Sequence, residues 1–266
     1  PAPKKSAVKP VVKKSKVRGK QINSPHYINN LSLKNSIQET SFRGYGEDII
    51  MGLLYLLGKH SNFNILIGNL SNIEDDFMWK IVLSWLCHND ESDFQLKSPM
   101  NKTAYFNKLK TYIKNYKQNG KKRFVLIPIY LGSKTCDISK GHFNIGILDI
   151  EYMKLERFEP YGYHYKKKEH EIVDSKLEEA LKKNGINIDV ISPHKIMSSK
   201  SFQEIEELEV RKGMASLRSS DPGGFCGAWG IWFCDMRLKF PKMTTSSLID
   251  RALSILIKNK DKKSFR

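Results

Sequence analysis

The chain has 266 residues, a net charge of +17 and 40% hydrophobic residues, enough for one large domain or two small ones with a substantial core. No apolar run is long enough to cross a bilayer, and the basic N-terminus leads into no apolar segment of signal-peptide type, so neither a membrane helix nor secretion is expected. Its cysteines, Cys87, Cys136, Cys226 and Cys234, have neither zinc-type spacing nor the pattern of a disulfide framework, so a reducing compartment is expected, with no metal and no other cofactor.

Residues 1–22 read as a flexible basic tail. Lys4, Lys5, Lys9, Lys13, Lys14, Lys16, Arg18 and Lys20 are interleaved with Pro, Ala, Val and Ser and with no acid, a composition that cannot bury enough apolar surface to fold. Such an arm can bind DNA by neutralising phosphates. It serves equally as a nuclear-localisation signal or a solubilising tail. One domain is expected over 23–260, followed by a short basic end at 261–266.

Within the domain, 47–59 has helical spacing, with Ile49, Ile50, Leu53, Leu54, Leu56 and Leu57 apolar. Residues 64–68 read as a short strand and 74–87 as an amphipathic helix carrying Phe77, Ile81, Leu83, Trp85 and Leu86. A further helix over 103–117 carries Tyr105, Phe106, Tyr112 and Tyr116, which are expected to pack on the body. Lys108, Lys110, Lys114, Lys117, Lys121, Lys122 and Arg123 form one basic cluster and residues 166–168 another, so the body is basic as well as the tail.

The spacing then predicts buried strands over 122–130 and 141–150 and a third strand over 153–159, with a hairpin turn at 149–153. A helix over 169–183 ends at Asn184-Gly185, a good C-cap. A strand over 186–191, a helix over 226–238 that is apolar on nearly every side, and a closing helix over 246–258 complete the domain. Helices with a buried sheet imply an α+β fold, a mixed central sheet flanked by helices. No internal repeat is present. The Gly-Lys-His run near Gly58 lies in a helical pattern and has the wrong spacing for a phosphate loop. His164 and His170 flank a lysine run and lack a nearby Cys or acid cluster of metal-site type.

Cys226 stands where the turn Asp221-Pro222-Gly223-Gly224-Phe225 meets the apolar helix. A thiol at a helix N-terminus sits among unpaired N–H groups and the positive end of the helix dipole. Both favour the thiolate, and the same N–H groups, that of Gly227 included, can hold a developing oxyanion. The residues around Cys226 leave a second reading open, an ordinary buried cysteine at the start of a core helix.

His142 opens one strand of the hairpin and Glu159 closes its partner. In an antiparallel pair these ends are neighbours, and strands lie about 4.8 Å apart, so imidazole and carboxylate can meet. Asp149 is the rival acid. It lies seven positions along the same strand, on the opposite face and roughly 23 Å from His142. Singly, His142 reads equally as a satisfied or surface histidine at a strand start and Glu159 as a solvated strand-end carboxylate. Together, thiol, imidazole and carboxylate, each at the end of an element, can compose a Cys-His-acid triad, in which His142 would take the thiol proton and Glu159 would orient the ring.

The run Phe124-Val125-Leu126-Ile127-Pro128-Ile129, then His142-Phe143, then Phe158-Glu159-Pro160-Tyr161-Gly162, then Cys226-Gly227 opening an apolar helix resembles the adenain and Ulp1-type cysteine proteases. That clan includes the adenovirus maturation protease, SUMO-specific proteases and processing proteases of large DNA viruses. The likeness covers about residues 120–240, and the Phe-Glu-Pro-Tyr-Gly run is closest to the adenovirus form, whose acid is glutamate. It implies an adenain/Ulp1-like fold and a Cys226–His142–Glu159 triad. It also implies an oxyanion-hole glutamine six or seven residues before the cysteine. Ser219 and Ser220 stand there in this chain. Gln203 is the displaced candidate, or else an ordinary helix residue.

The resemblance implies cleavage of viral capsid or core precursor proteins during virion maturation, in the virion and in the host-cell cytoplasm or nucleus. The alternatives are a ubiquitin- or SUMO-type deconjugating protease and a catalytically defective, DNA-associated virion protein of the same fold.

Overall fold

The computed structural model describes residues 46–67, 83–88, 90–97, 102–133, 142–162, 167–197, 202 and 225–260. The N-terminal arm with its lysines and Arg18, the stretch containing Gln203, and the C-terminal end at 261–266 lie outside the described residues.

The described residues form an α+β fold around one mixed, seven-stranded sheet. Its central strand is β4 (Phe124–Ser133), flanked by antiparallel β5 (His142–Asp149). Two strands share the other edge of β4, both parallel to it: β1 (Phe63–Ile65) pairs with its first residues and β2 (Leu83–His88) with its last. Pro128 falls between the β1 and β2 ladders. On that edge its missing N–H faces no strand partner, which is how proline is tolerated in a central strand. Strand β3 (Asp90–Lys97) pairs antiparallel with β2. On the far side β6 (Lys154–Phe158) pairs antiparallel with β5, and β7 (Asp189–Ile191) parallel with β6.

Strand alternation sends successive side chains to opposite faces, and each face meets its own helical layer. Phe124, Leu126, Phe143, Ile145, Ile147 and Phe158 pack with α1 (Gly46–Lys59), α5 (Phe225–Lys239) and α6 (Thr245–Lys260). Val125, Ile127, Ile129, Leu148 and Leu155 pack with α2 (Lys102–Asn119) and α3 (Lys167–Lys183). A short α4 (Pro193–Ile196) follows β7. Strands β4 and β5 are therefore buried on both faces over most of their length, which is why they read as nearly unbroken apolar runs.

Two glycines carry specific geometry. Gly185 has φ 68° and ends α3, with its N–H donated to Lys182 O and that of Ile186 to Leu181 O, the paired bonds of a Schellman cap. A Cβ on Gly52 would lie 2.7 Å from Ile231 Cγ1, so its absence lets α1 and α5 approach closely.

One expected element is corrected. The helix read over 74–87 is not present where that stretch is described: 83–88 is strand β2, and 74–82 lies outside the described residues. A short apolar run suits either form, and the decision comes from β3 and the open edge of β4, which together satisfy the backbone of β2. Strand β3, rich in charge, carries no apolar alternation that would announce it.

Candidate active site

The β5–β6 hairpin brings the ends of its two strands together. Ile145 pairs with Phe158, so the chain beyond Phe158 runs alongside the first residues of β5. Glu159 begins a turn with Pro160 and Tyr161, closed by the Gly162 N–H donating to Glu159 O at 3.0 Å, proline occupying its favoured second position. His142 Nε2 lies 2.8 Å from Glu159 Oε1 and 2.9 Å from Oε2. The carboxylate is 0% exposed and takes further hydrogen bonds from Tyr161 N–H at 2.9 Å, Asn144 Nδ2 at 3.0 Å and His170 Nε2 at 3.0 Å. The Tyr161 ring lies 5.4 Å from the imidazole, centroid to centroid.

Cys226 sits in the first turn of α5, one residue after the start of the helix, and is 4% exposed. It shares a hydrogen bond with His142. With Nε2 committed to Glu159, Nδ1 is the ring nitrogen left for the sulfur. Packing sets this meeting. Gly230, four residues along α5, lies against β5, and a Cβ there would stand 3.2 Å from Phe143 Cε1 and 3.5 Å from Ile145 Cγ2. The helix therefore rides low on the sheet, with its N-terminus at the start of β5. Tyr130, paired with Phe143 across β4 and β5, belongs to the same neighbourhood: its pKa is raised by burial and by nearby Cys226.

Electrostatics follow from these contacts. Burial by itself would lower the His142 pKa, but the charge on Glu159 and the hydrogen bonds to Cys226 and Glu159 outweigh it, and the imidazole is pushed up to about 10. Burial would raise the Glu159 carboxyl, but neighbouring His142 and the hydrogen bonds from both histidines hold it well below the usual carboxylate range. At neutral pH the site is a charged imidazolium between a carboxylate and a sulfur.

Behind Glu159 stands a second polar layer that sequence reading missed. Arg157, 0% exposed, donates from Nε to Asp174 Oδ1 at 2.6 Å and from Nη1 to both Asn144 Oδ1 and His170 Nδ1, the latter at 2.7 Å. Asn144 and Arg157 lie two positions from His142 and Glu159 in the sequence, hence on the same face of the sheet, and that spacing was the signal available. Nothing local announces His170 or Asp174, which the packing of α3 delivers.

Of the residues expected at the site, Cys226, His142 and Glu159 come together. Gly227 is buried next to Cys226, and its N–H is among the first four of α5, which have no intrahelical acceptor. Gln203 lies outside the described residues, as do Lys4, Lys5, Lys9, Lys13, Lys14, Lys16, Arg18 and Lys20. Asp149 is at the far end of β5, paired with Phe124 and bound by Arg123 Nε at 2.8 Å. The basic cluster on α2 and just after it is smaller than its sequence suggests. Lys108 donates to Ile67 O and Arg123 pairs with Asp149 and Glu151, while Lys110, Lys114, Lys117, Lys121 and Lys122 are exposed.

No family model and no solved structure matches the chain. Among curated proteins it is similar to the putative ankyrin repeat protein L371 of Acanthamoeba polyphaga mimivirus, 26% identical over 229 residues, which is 79% of this chain and 29% of that protein. The chain thus spans less than a third of that relative's length. The likeness is to a viral protein, and it carries no activity across.

Proposed function

We propose that this chain is a cysteine endopeptidase of adenain/Ulp1-like fold, with Cys226 as nucleophile, His142 as general base and acid, and Glu159 as the group that orients the imidazole. The observation that carries the reading is His142 standing between the Cys226 sulfur and the buried Glu159 carboxylate. The chain order His, acid, Cys and the packing of the cysteine-bearing helix on the sheet support the fold assignment. The mimivirus relative supports a viral setting, in which the substrates are capsid or core precursor proteins and the N-terminal arm engages packaged DNA.

In this mechanism the Cys226 thiolate attacks the carbonyl carbon of the scissile peptide and forms a C–S bond. The oxyanion is met by N–H groups of the first turn of α5, those of Cys226 and Gly227. The C–N bond then breaks, and the leaving amine takes the proton held on His142. Water enters and gives a proton to His142 as its oxygen attacks the thioester. The C–S bond breaks, and the acid product and the thiolate are released. Glu159, with His142 against both of its oxygens, keeps the ring in the plane that serves both steps.

The test is labelling with a peptide vinyl sulfone followed by peptide mapping, alongside cleavage of a library of short peptides. A covalent adduct on Cys226, and cleavage lost in Cys226→Ala, are expected. Labelling spread over the other cysteines, together with no cleavage, would remove the enzyme reading.

A further inference from the structure

The polar cluster behind Glu159 is larger than a triad needs. Arg157 is wholly buried, and its partner Asp174 engages through one oxygen while Oδ2 finds no hydrogen-bond partner among the described residues. A buried ion pair of this kind contributes little net stability by itself. The chemistry of the guanidinium suggests what else it does. Arginine only donates, and Nη1 faces both Asn144 Oδ1 and His170 Nδ1. Both partners must therefore present acceptors to it. That orientation turns the Asn144 amide N–H and the His170 Nε2–H toward the same oxygen, Glu159 Oε2, each at 3.0 Å. One buried cation thus sets the direction of two hydrogen bonds on the acid that faces His142.

We infer that His170 is a positioning residue for the proposed triad, an imidazole whose tautomer is set by Arg157 and which anchors Glu159 through Oε2. This rests on the thiol-peptidase reading of the site. A proton on His170 Nδ1 would point straight at the Arg157 donor, so the neutral ring is the form that fits. Burial and the Arg157 charge lower its pKa in agreement. The anchor also links the two helical layers. The run Cys226, His142, Glu159, His170, Arg157, Asp174 passes from α5 on one face of the sheet, through the end of the β5–β6 hairpin, to α3 on the other. The position of α3 therefore bears on the ring that serves the sulfur.

The test is a double-mutant cycle between His170→Leu and Glu159→Gln, read on peptide turnover and, without any substrate, on the rate at which iodoacetamide alkylates Cys226. His170→Leu is expected to lower kcat about 10- to 100-fold with little change in KM, the size of loss typical when a partner behind a functional ligand is removed. His170→Gln keeps an N–H near the place of Nε2 and is expected to restore most of the loss. In the Glu159→Gln background His170→Leu is expected to add nothing further. Should His170→Leu not fold, His170→Asn takes its place, since it keeps an acceptor for Arg157 and loses the reach to Glu159. Equal losses in both backgrounds, or a Gln variant no better than Leu, would overturn the positioning role. Alkylation that obeys the cycle in a protein that cleaves no peptide would support it while retiring the peptidase reading.

Discussion

Gly230 of α5 lies against Phe143 of β5 so closely that a Cβ on the glycine would stand 3.2 Å from the Phe143 ring. Phe143 follows His142, and Gly230 is about one helical turn beyond Cys226, so this contact sets the spacing between His142 and Cys226. Gly230→Ala gains helix propensity but must push the helix outward by a few tenths of an ångström. It is expected to leave the melting temperature within a few degrees while lowering kcat. Gly230→Val adds overpacking of about 1–3 kcal/mol and is expected to lower both. Thermal melts beside turnover check this; unchanged turnover in both variants would free the triad spacing from that contact.

In the proposed triad the acid role falls to Glu159 by position. Glu159→Gln is expected to cut turnover by about two to four orders of magnitude, because the imidazolium loses the buried charge that orients and stabilises it. Asp149→Asn, at the other end of β5 beside Arg123, is expected to spare turnover and weaken only the hairpin turn, where Asp149 also accepts the Glu151 N–H. Steady-state kinetics of the two variants decide, and the reverse order would exclude Glu159.

The histidine gives a pH signature with a definite sign. Its folded pKa of about 10 lies above the ordinary histidine value of 6.5, so the stability it contributes is fully present below about pH 6.5 and is lost as pH rises through about 10. Glu159 is shifted the other way. Its contribution is present above its ordinary value and is lost as pH falls through the lowered one. The difference in melting temperature between the wild type and His142→Gln is therefore expected to shrink from neutral pH toward pH 10. An imidazole NMR titration with a midpoint near 6.5 would contradict the charged pair.

Cys226 and Cys234 share a helix and differ in setting. Cys234 is wholly buried, and burial, then Asp235, push its thiol well above the usual value. Cys226 faces His142. Iodoacetamide at neutral pH is expected to label Cys226 well ahead of Cys234, and Cys226→Ala is expected to keep the melting temperature near that of the wild type, since little packing volume is lost. Equal labelling by mass spectrometry would sink the activated thiol.

The arm is expected to bind duplex DNA without reading sequence, by counterion release, with affinity falling steeply as salt rises. Removing residues 1–20 is expected to flatten that salt dependence and leave hydrolysis of a short peptide unchanged. Electrophoretic titrations at two salt concentrations check this. Equal binding by both forms would move the DNA site to the exposed Lys110, Lys114, Lys117, Lys121 and Lys122.

The parts that could be read from the amino-acid order are those whose partners are near in the chain. The β5–β6 hairpin has its own turn, so the meeting of His142 and Glu159 and the exclusion of Asp149 follow from strand geometry. The cap at Asn184-Gly185 is local chemistry, and α5 carries apolar residues on nearly every side because it is buried between the sheet and its neighbouring helices. Three-dimensional packing settled the rest. Segment 83–88 became a strand because β4 had an open edge. Gly230 set the depth of α5 against a strand more than eighty residues earlier. Arg157, Asn144 and His170 acquired their work only when α3 closed over the sheet, since a hydrogen-bond direction depends on which donor stands opposite, and no spacing along the chain records that.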